Sequence, residues 1–346
     1  MKKLNTVLLL LGAAFLAWLV WKIGLRELWR ELKLLRWGLV PLILSEGVAN
    51  LFHTLGWRHC LSGPHRRLSW VPLYRIWVAG FAINYLTPSA TVGGDVAKVA
   101  LLASNHKGAE AVSSLIIDKA CMALAHLLMA MGGSVFLLSQ LTLPPALRTG
   151  MLLAGMMMVG GITGFLLLQQ QGKLGGLLRW LVARKVGGRA FQNAALQLTR
   201  VDETLKWFYR ERRRDLLWSV GWHVLGHAVG LFQTWLLVSL LAQPLPLATI
   251  TAAWVLTLWF DLMTFAVPMN LGTLEGGRIL SLKAIGQDAL TGMTFGVALR
   301  LMQLFWSAFG LINYALLVSS GTAASGLVAS EEGAGPGKIE LKENQP

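Results

Sequence analysis

Long apolar runs alternate with short basic stretches along most of the chain. A bilayer core about 30 Å thick is crossed by about 20 apolar residues in helical form. Runs at 4–21, 38–56, 112–138, 149–169, 216–242, 249–267 and 292–320 approach or exceed that length, and each predicts a membrane helix. The first run follows two Lys like a signal peptide, but it is too long for one and has a poor cleavage signal, so it reads as an uncleaved span. Residues 22–36 put Leu25, Leu28, Trp29 and Leu32 on one helical face and Arg26, Glu27, Arg30, Glu31 and Lys33 on the other. That pattern predicts a helix lying along the membrane surface. Residues 71–86 are apolar, the pattern then breaks, and 96–103 resume it. Residues 170–215 form the one sizeable polar segment, and the tail from Gly321 has the composition of a disordered one. The expected organisation is a single transmembrane domain over 1–320, with 170–215 as a basic cytoplasmic segment inside it, and a disordered tail over 321–346.

Composition agrees. Of 346 residues, 55 % are hydrophobic and 14 % charged, against about 25 % charged in a soluble domain. Mean hydropathy is +0.56. The net charge of +14 lies mostly between apolar runs, where cytoplasmic loops carry Lys and Arg. No nucleic-acid-binding motif accompanies it, so anionic headgroups are the expected counter-charge and nucleic acid is not an expected partner. Cys60 and Cys121 form no CxxC and suggest neither a disulfide framework nor a zinc site.

Charge also decides how the runs are threaded. If every apolar run crossed the membrane, an N-terminus inside would place the eleven Lys and Arg of 170–215 outside. The conflict disappears if 71–103 is a re-entrant hairpin that enters and leaves on the cytoplasmic face. The basic residues of 58–67, 104–107 and 170–215 are then all inside, and the nearly uncharged 140–148 and 243–248 outside. A second broken stretch over 249–288 would open from the opposite face. The expectation is an all-α polytopic protein with about six full spans, two re-entrant hairpins in inverted halves, and both termini in the cytoplasm.

The two breaks resemble each other. NYLTPSATVGGDVAK carries Asn84, Pro88, Gly93, Gly94, Asp95 and Lys98, and VPMNLGTLEGGRIL carries Pro268, Gly272, Glu275 and Arg278. In each, an acid follows the Pro by seven residues and a basic residue follows the acid by three. Pro removes a backbone donor and bends the path, and Gly admits conformations other residues resist. Broken backbone at membrane depth must be buried in protein or line a wet cavity, and the free N–H groups of a half-helix attract anions. Paired interrupted helices in two halves point to a midplane site in transporters. Lys98, Arg278 and Arg300 are expected to contact a phosphate headgroup; Asp95, Asp118 and Glu275 to balance that charge or carry a proton.

Further charges sit inside apolar runs, where each costs about 2.5–3.5 kcal/mol at the bilayer centre. They are Glu46, Asp118, Lys119, Asp261 and Arg300. Asp118 and Lys119 are adjacent and cannot face each other, so each needs its own partner; Lys98 or Arg300 is expected for Asp118. His223 and His227 share a helical face but lack the third ligand of a metal motif, and they read, like His53 and His126, as packed interior residues. Met156, Met157 and Met158 read as lipid-facing or packing residues, and Trp18, Trp21, Trp37, Trp57, Trp70 and Trp218 as an interfacial belt. No P-loop, nucleophile elbow or dinucleotide fingerprint is present, and no metal or other cofactor is expected.

At the breaks the chain resembles the flippase-like membrane family named for the lysylphosphatidylglycerol synthase transmembrane region, which includes the membrane part of the bacterial multiple peptide resistance factor. The residues carrying the resemblance are Asn84, Pro88, Gly93, Gly94, Asp95, Lys98, Asp118, Lys119, Pro268, Gly272, Glu275 and Arg300. The family tends to have Arg in place of Lys98 and a Glu-Arg pair in place of Asp118-Lys119. The resemblance implies handling of a phospholipid or other polar lipid at the cytoplasmic membrane, without an aminoacyl-transferring domain after residue 320. The alternatives are a membrane enzyme or accessory subunit acting on a lipid-linked substrate by glycosyl or acyl transfer. A homo-oligomer, or association with a lipid-synthesis enzyme, is the expected protein partnership.

Overall fold

A computed structural model describes residues 35–86, 92–102, 108–176, 201–241, 244–264 and 273–319, together with Arg26, Arg30, Lys33 and Trp180. The first predicted span, most of the surface helix and the tail lie outside these residues. No strand occurs among the described residues, and the fold is that of an all-α polytopic membrane protein.

The helices are α1 (Leu39–Cys60), α2 (Trp70–Leu86), α3 (Val92–Leu102), α4 (Gly108–Gln140), α5 (Pro145–Gln170), α6 (Arg213–Leu241), α7 (Leu247–Thr264), α8 (Thr273–Lys283) and α9 (Ala289–Ser319). Helices α1 (with the short turn Arg36–Gly38 before it), α4, α5, α6 and α9 are long and apolar enough to cross a membrane. The others are shorter. At 1.5 Å per residue the 17 residues of α2 reach about 26 Å and the 11 residues of α3 or α8 about 17 Å. An 11-residue arm cannot cross a core about 30 Å thick.

The two arms of each pair pack against each other. Along α2 and α3, Gly80 meets both Lys98 and Gly94, and Asn84 meets Gly94 and Asp95. Along α7 and α8, Phe260 meets Gly277 and Asp261 meets Arg278. The first pair is antiparallel, as a hairpin that enters and leaves by one face must be, with Gly80 beside Lys98 and Asn84 beside Gly94.

The halves are inverted. Helices α1 and α6 pack against each other in opposite directions, from Gly38 beside Leu240, through Glu46 with Gln233, to Cys60 with Ser219. Since α2 follows α1 and α7 follows α6, the two hairpins open on opposite faces. The contacts repeat under exchange of α1 with α6, α2 with α7, α3 with α8 and α4 with α9. Helix α2 packs on α9, and α7 on α4; α2 lies on α3, and α7 on α8. At the crossing of α1 and α6 the relation is reciprocal. A Cβ on Gly56 would strike His223, and a Cβ on Gly226 would strike His53. Phe52 stacks on Trp222, and His53 bonds His223. Matched residues touching one another mark a two-fold axis, here running between two antiparallel membrane helices.

Helix α5 stands outside this repeat. Its buried residues are Met151, Gly155 and Gln169, and Met156 and Met157 are exposed as a lipid-facing helix requires. The polar segment after it is partly built into the fold: 201–211 is helical, Val201, Leu205 and Phe208 are buried in the main core, and Tyr209 donates to Gln169 at 2.7 Å. Of the described belt tryptophans, Trp37, Trp70 and Trp218 are exposed as expected. Trp57 is the exception. It is wholly buried and donates to Ser114 at 3.3 Å, because α4 covers the face of α1 that carries it.

Candidate functional site

In the first hairpin, α3 begins with N–H groups that have no partner in their own helix. Asn84, on the opposing arm, accepts from Gly94 N at 2.7 Å and so takes up one of them. The arms touch backbone to backbone there: a Cβ on Gly94 would lie 1.9 Å from the carbonyl oxygen of Gly80. Glycine is required at that point for steric reasons. Gly93 lies in the same first turn of α3.

Asp95 follows in the first turn of α3, where a carboxylate complements the helix dipole. It receives a weak bond from Asn84 at 3.4 Å and pairs with Lys119 of α4 at 3.2 Å. Lys98, one turn on, is 2 % exposed. Its ammonium stands 3.5 Å from the centre of the Trp77 ring, 5.8 Å from that of Trp57 and 4.0 Å from Asp95. Its stem lies over Gly80, where a Cβ would come within 2.4 Å. A buried lysine is held here by a quadrupole and one shared carboxylate.

In the second hairpin, Arg278 bonds Asp261 through two hydrogen bonds of 2.9 and 3.1 Å. Arg300 of α9 bonds Glu275 through two more, at 2.6 and 3.2 Å, and donates to Tyr85 of α2 at 3.1 Å. That last bond ties the second hairpin to the first. The halves therefore share a rule: the acid after each break pairs with a cation on the next long helix, Asp95 with Lys119 and Glu275 with Arg300. Lys98 and Arg278 differ, one on an aromatic ring and the other on a carboxylate.

Asp118 departs from expectation. It pairs with neither Lys98 nor Arg300 but with His223 Nε2, at 3.0 Å, both side chains fully buried. Consecutive helical residues point about 100° apart, so α4 turns Lys119 toward α3 and Asp118 toward α6. His53 joins His223 at 2.9 Å, His227 lies against His53 and His126 against His227. The sequence pairs His223 with His227 by spacing alone; nothing in it links either to His53 on another helix. Tyr85, Trp77 and Asn50, which accepts from Trp77 at 3.0 Å, carry no sequence signal either.

Two spaces adjoin these groups. A cavity of about 180 Å³ is lined by Glu46, His53, His126, His227, Asp261 and Arg278 among others. A groove of about 420 Å³ runs between α3, α4 and α5, walled by Val96, Val99, Leu115 and Phe165 and edged by Asp95 and Lys119. It is apolar along its length and charged at one edge, as an acyl chain and headgroup are. Among the described residues no three His, Cys, Asp or Glu side chains converge to hold a metal ion. Pro88, Pro268 and Gly272 lie outside the described residues. The remaining predicted residues fall into two adjoining groups: Asn84, Gly93, Gly94, Asp95, Lys98 and Lys119 around the first hairpin, and Glu275, Arg278 and Arg300 around the second.

No curated protein and no solved structure shows a significant match to the chain. The model of the family described as "Lysylphosphatidylglycerol synthase TM region" matches residues 5–310. With nearly the whole chain covered and the break motifs built into paired hairpins, the chain belongs to that family.

Proposed function

We propose that this protein moves an anionic or modified polar lipid across the cytoplasmic membrane, with both termini in the cytoplasm. The observation that carries this reading is that Lys98 and Arg278 of the two hairpins and Arg300 of α9 are each nearly inaccessible, with Arg300 bonded to Tyr85 of the first hairpin. Buried cations in a membrane interior mark a path for anions. Inverted halves around a central site supply the geometry for opening to one leaflet and then the other.

In this reading the first hairpin receives the headgroup. The phosphate displaces Asp95 from Lys119 at the edge of the apolar groove, while the tails remain among Val96, Val99 and Phe165. Lys98 then gives a second cation. Asn84, Gly93 and Gly94 keep the arms close enough to hold both. Glu275, Arg278 and Arg300 fix the second hairpin against the first.

The test is transfer of a labelled phosphatidylglycerol between leaflets of proteoliposomes. The intact protein is expected to accelerate it, and Lys98→Ala and Asp95→Asn, folded by size-exclusion and thermal melting, to lose most of the acceleration. Full transfer by both variants overturns the assignment of residues. Chemical turnover of a lipid-linked substrate by the purified protein, without transfer, replaces it with the enzymatic alternative.

A further inference from the structure

A buried row of imidazoles lies between the two hairpins, and lipid contact does not account for it. Asp118 Oδ1 meets His223 Nε2 at 3.0 Å, and His223 Nδ1 meets His53 Nδ1 at 2.9 Å. The His53 ring centre is 5.0 Å from that of His227, which is 4.7 Å from that of His126. The row borders the cavity lined by Glu46, Asp261 and Arg278. Asp118 Oδ2, at one end of the row, and His227 Nε2, within it, are buried and have no hydrogen-bond partner, and His126 at the other end meets the Leu258 carbonyl at 3.2 Å.

Hydrogen-bond chemistry assigns the protons. Two ring nitrogens facing across 2.9 Å need one N–H and one bare nitrogen. Neutral His223 gives its Nε2–H to the Asp118 carboxylate, which leaves its Nδ1 bare. His53 therefore donates Nδ1–H and keeps Nε2 bare. A proton reaching His53 Nε2 from the cavity allows Nδ1–H to pass to His223 Nδ1, and His223 Nε2–H to pass to Asp118 Oδ1. Three bonds to hydrogen form and two break; one proton enters and one carboxylate becomes a carboxylic acid. The reverse passage restores the start.

We infer that this row is a proton relay that links uptake of one proton to binding of an anionic headgroup at Lys98 and Lys119. The inference rests on the lipid-handling reading above. Trp77 connects the two sites, stacking on His53 at 5.9 Å while its ring carries the Lys98 ammonium. The charged and titratable groups facing the histidine pair are Asp118 and Lys119 of α4, Lys98 of α3 and His227 of α6. His126 and the Asp261–Arg278 pair stand beyond His227; Glu46 of α1 lines the same cavity, and Cys60 of α1 lies near Asp118. Neutralising Asp118 leaves Asp95 to face two ammonium groups, and a buried excess of positive charge draws in an anion. The two-fold relation gives the relay its direction. Arg300 matches Lys119, so Leu299 stands where Asp118 would be in the second half; among the described residues the acid hydrogen-bonded to the row is Asp118, on the first hairpin's side, while Asp261 on the other side is held by Arg278.

The experiment is titration calorimetry of the purified protein with dihexanoyl phosphatidylglycerol in two buffers of different ionisation enthalpy. The expected result is uptake of about one proton per lipid bound, with affinity rising up to about tenfold for each unit of falling pH in the linked range. Asp118→Asn mimics the protonated acid. It is expected to bind about tenfold more tightly than the intact protein at alkaline pH, with no linked proton. His53→Gln is expected to bind with no linked proton at the intact protein's alkaline affinity. Binding without proton uptake by the intact protein overturns the relay and leaves the lipid-handling reading standing. Undiminished uptake in Asp118→Asn also overturns it. No binding of the lipid at any pH overturns both.

Discussion

In the second half of the molecule Arg278 closes on Asp261 and Arg300 on Glu275, each through two hydrogen bonds. In the first half Asp95 faces Lys119 at 3.2 Å and Lys98 at 4.0 Å, and Lys98 leans instead on the ring of Trp77. The chain order is the same and the charges have the same signs. The difference lies in how firmly the cations are held. A guanidinium in a planar fork with a carboxylate is fixed in orientation, whereas an ammonium is a point charge that accepts another anion from any side. Under the proposed function the second hairpin is the anchor and the first the half that changes partners. Exposure agrees: the Asp95–Lys119 pair borders an open groove, its Lys one-third exposed, while the Arg300 side chain is 3 % exposed.

The largest effect belongs to the inversion itself, which is all or none. Arg67, before the first hairpin, and Lys283, at the end of the second, are exposed, and both native cysteines are buried. Arg67→Cys and Lys283→Cys are expected to react with an impermeant maleimide from opposite membrane faces. Reaction of both from one face would end the comparison between inverted halves.

Next come the acids. Glu275→Gln takes the carboxylate from a buried guanidinium that keeps its bond to Tyr85, and is expected to cost up to about 3–5 kcal/mol in thermal melts. Asp95→Asn takes the carboxylate from partly solvated Lys119 and from buried Lys98, which keeps the Trp77 ring, and is expected to cost less than Glu275→Gln. Equal losses would show that the first pair is as structural as the second.

The glycines separate the halves more finely. Gly94→Ala drives a Cβ into the carbonyl of Gly80 and is expected at the upper end of the about 1–3 kcal/mol seen for overpacking. Gly276, beside the second acid, has open space where its Cβ would be, and Gly276→Ala is expected to raise stability by up to about 1 kcal/mol. Melting of both variants in the same detergent checks the contrast.

The smallest effect concerns the cap of α9. Asp288 accepts from Thr291 N at 2.7 Å, and the bonds from Thr291 hold its carboxyl below the usual range. A carboxyl with a depressed folded pKa stabilises above its unfolded pKa, and the contribution is lost as pH falls through the folded value. The small deficit of Asp288→Ala in melting temperature is therefore expected at neutral pH and absent in acid.

Much of this was legible in the chain. Apolar length set the spans: 112–138 became Gly108–Gln140 and 292–320 became Ala289–Ser319. The charge of 170–215 led to the expectation that 71–103 turns back, and α2 and α3 do turn back. The matched spacing of the two breaks marked Asp95 and Glu275, which stand in the first turns of α3 and α8. Adjacent Asp118 and Lys119 had to find separate partners, and they do. The partners themselves were not legible. Asp118 bonds a histidine 105 residues away, and His53 one 170 residues away.

The sequence by itself determined the helices, their breaks and where the charges enter the membrane, because run length, proline and glycine act on the backbone locally. Only the tertiary structure decided that Lys98 rests on Trp77, that Arg300 reaches Tyr85 and that four histidines from three helices form one row. Such partnerships depend on which faces of distant helices are pressed together, and a helix's own residues do not specify what lies across from it.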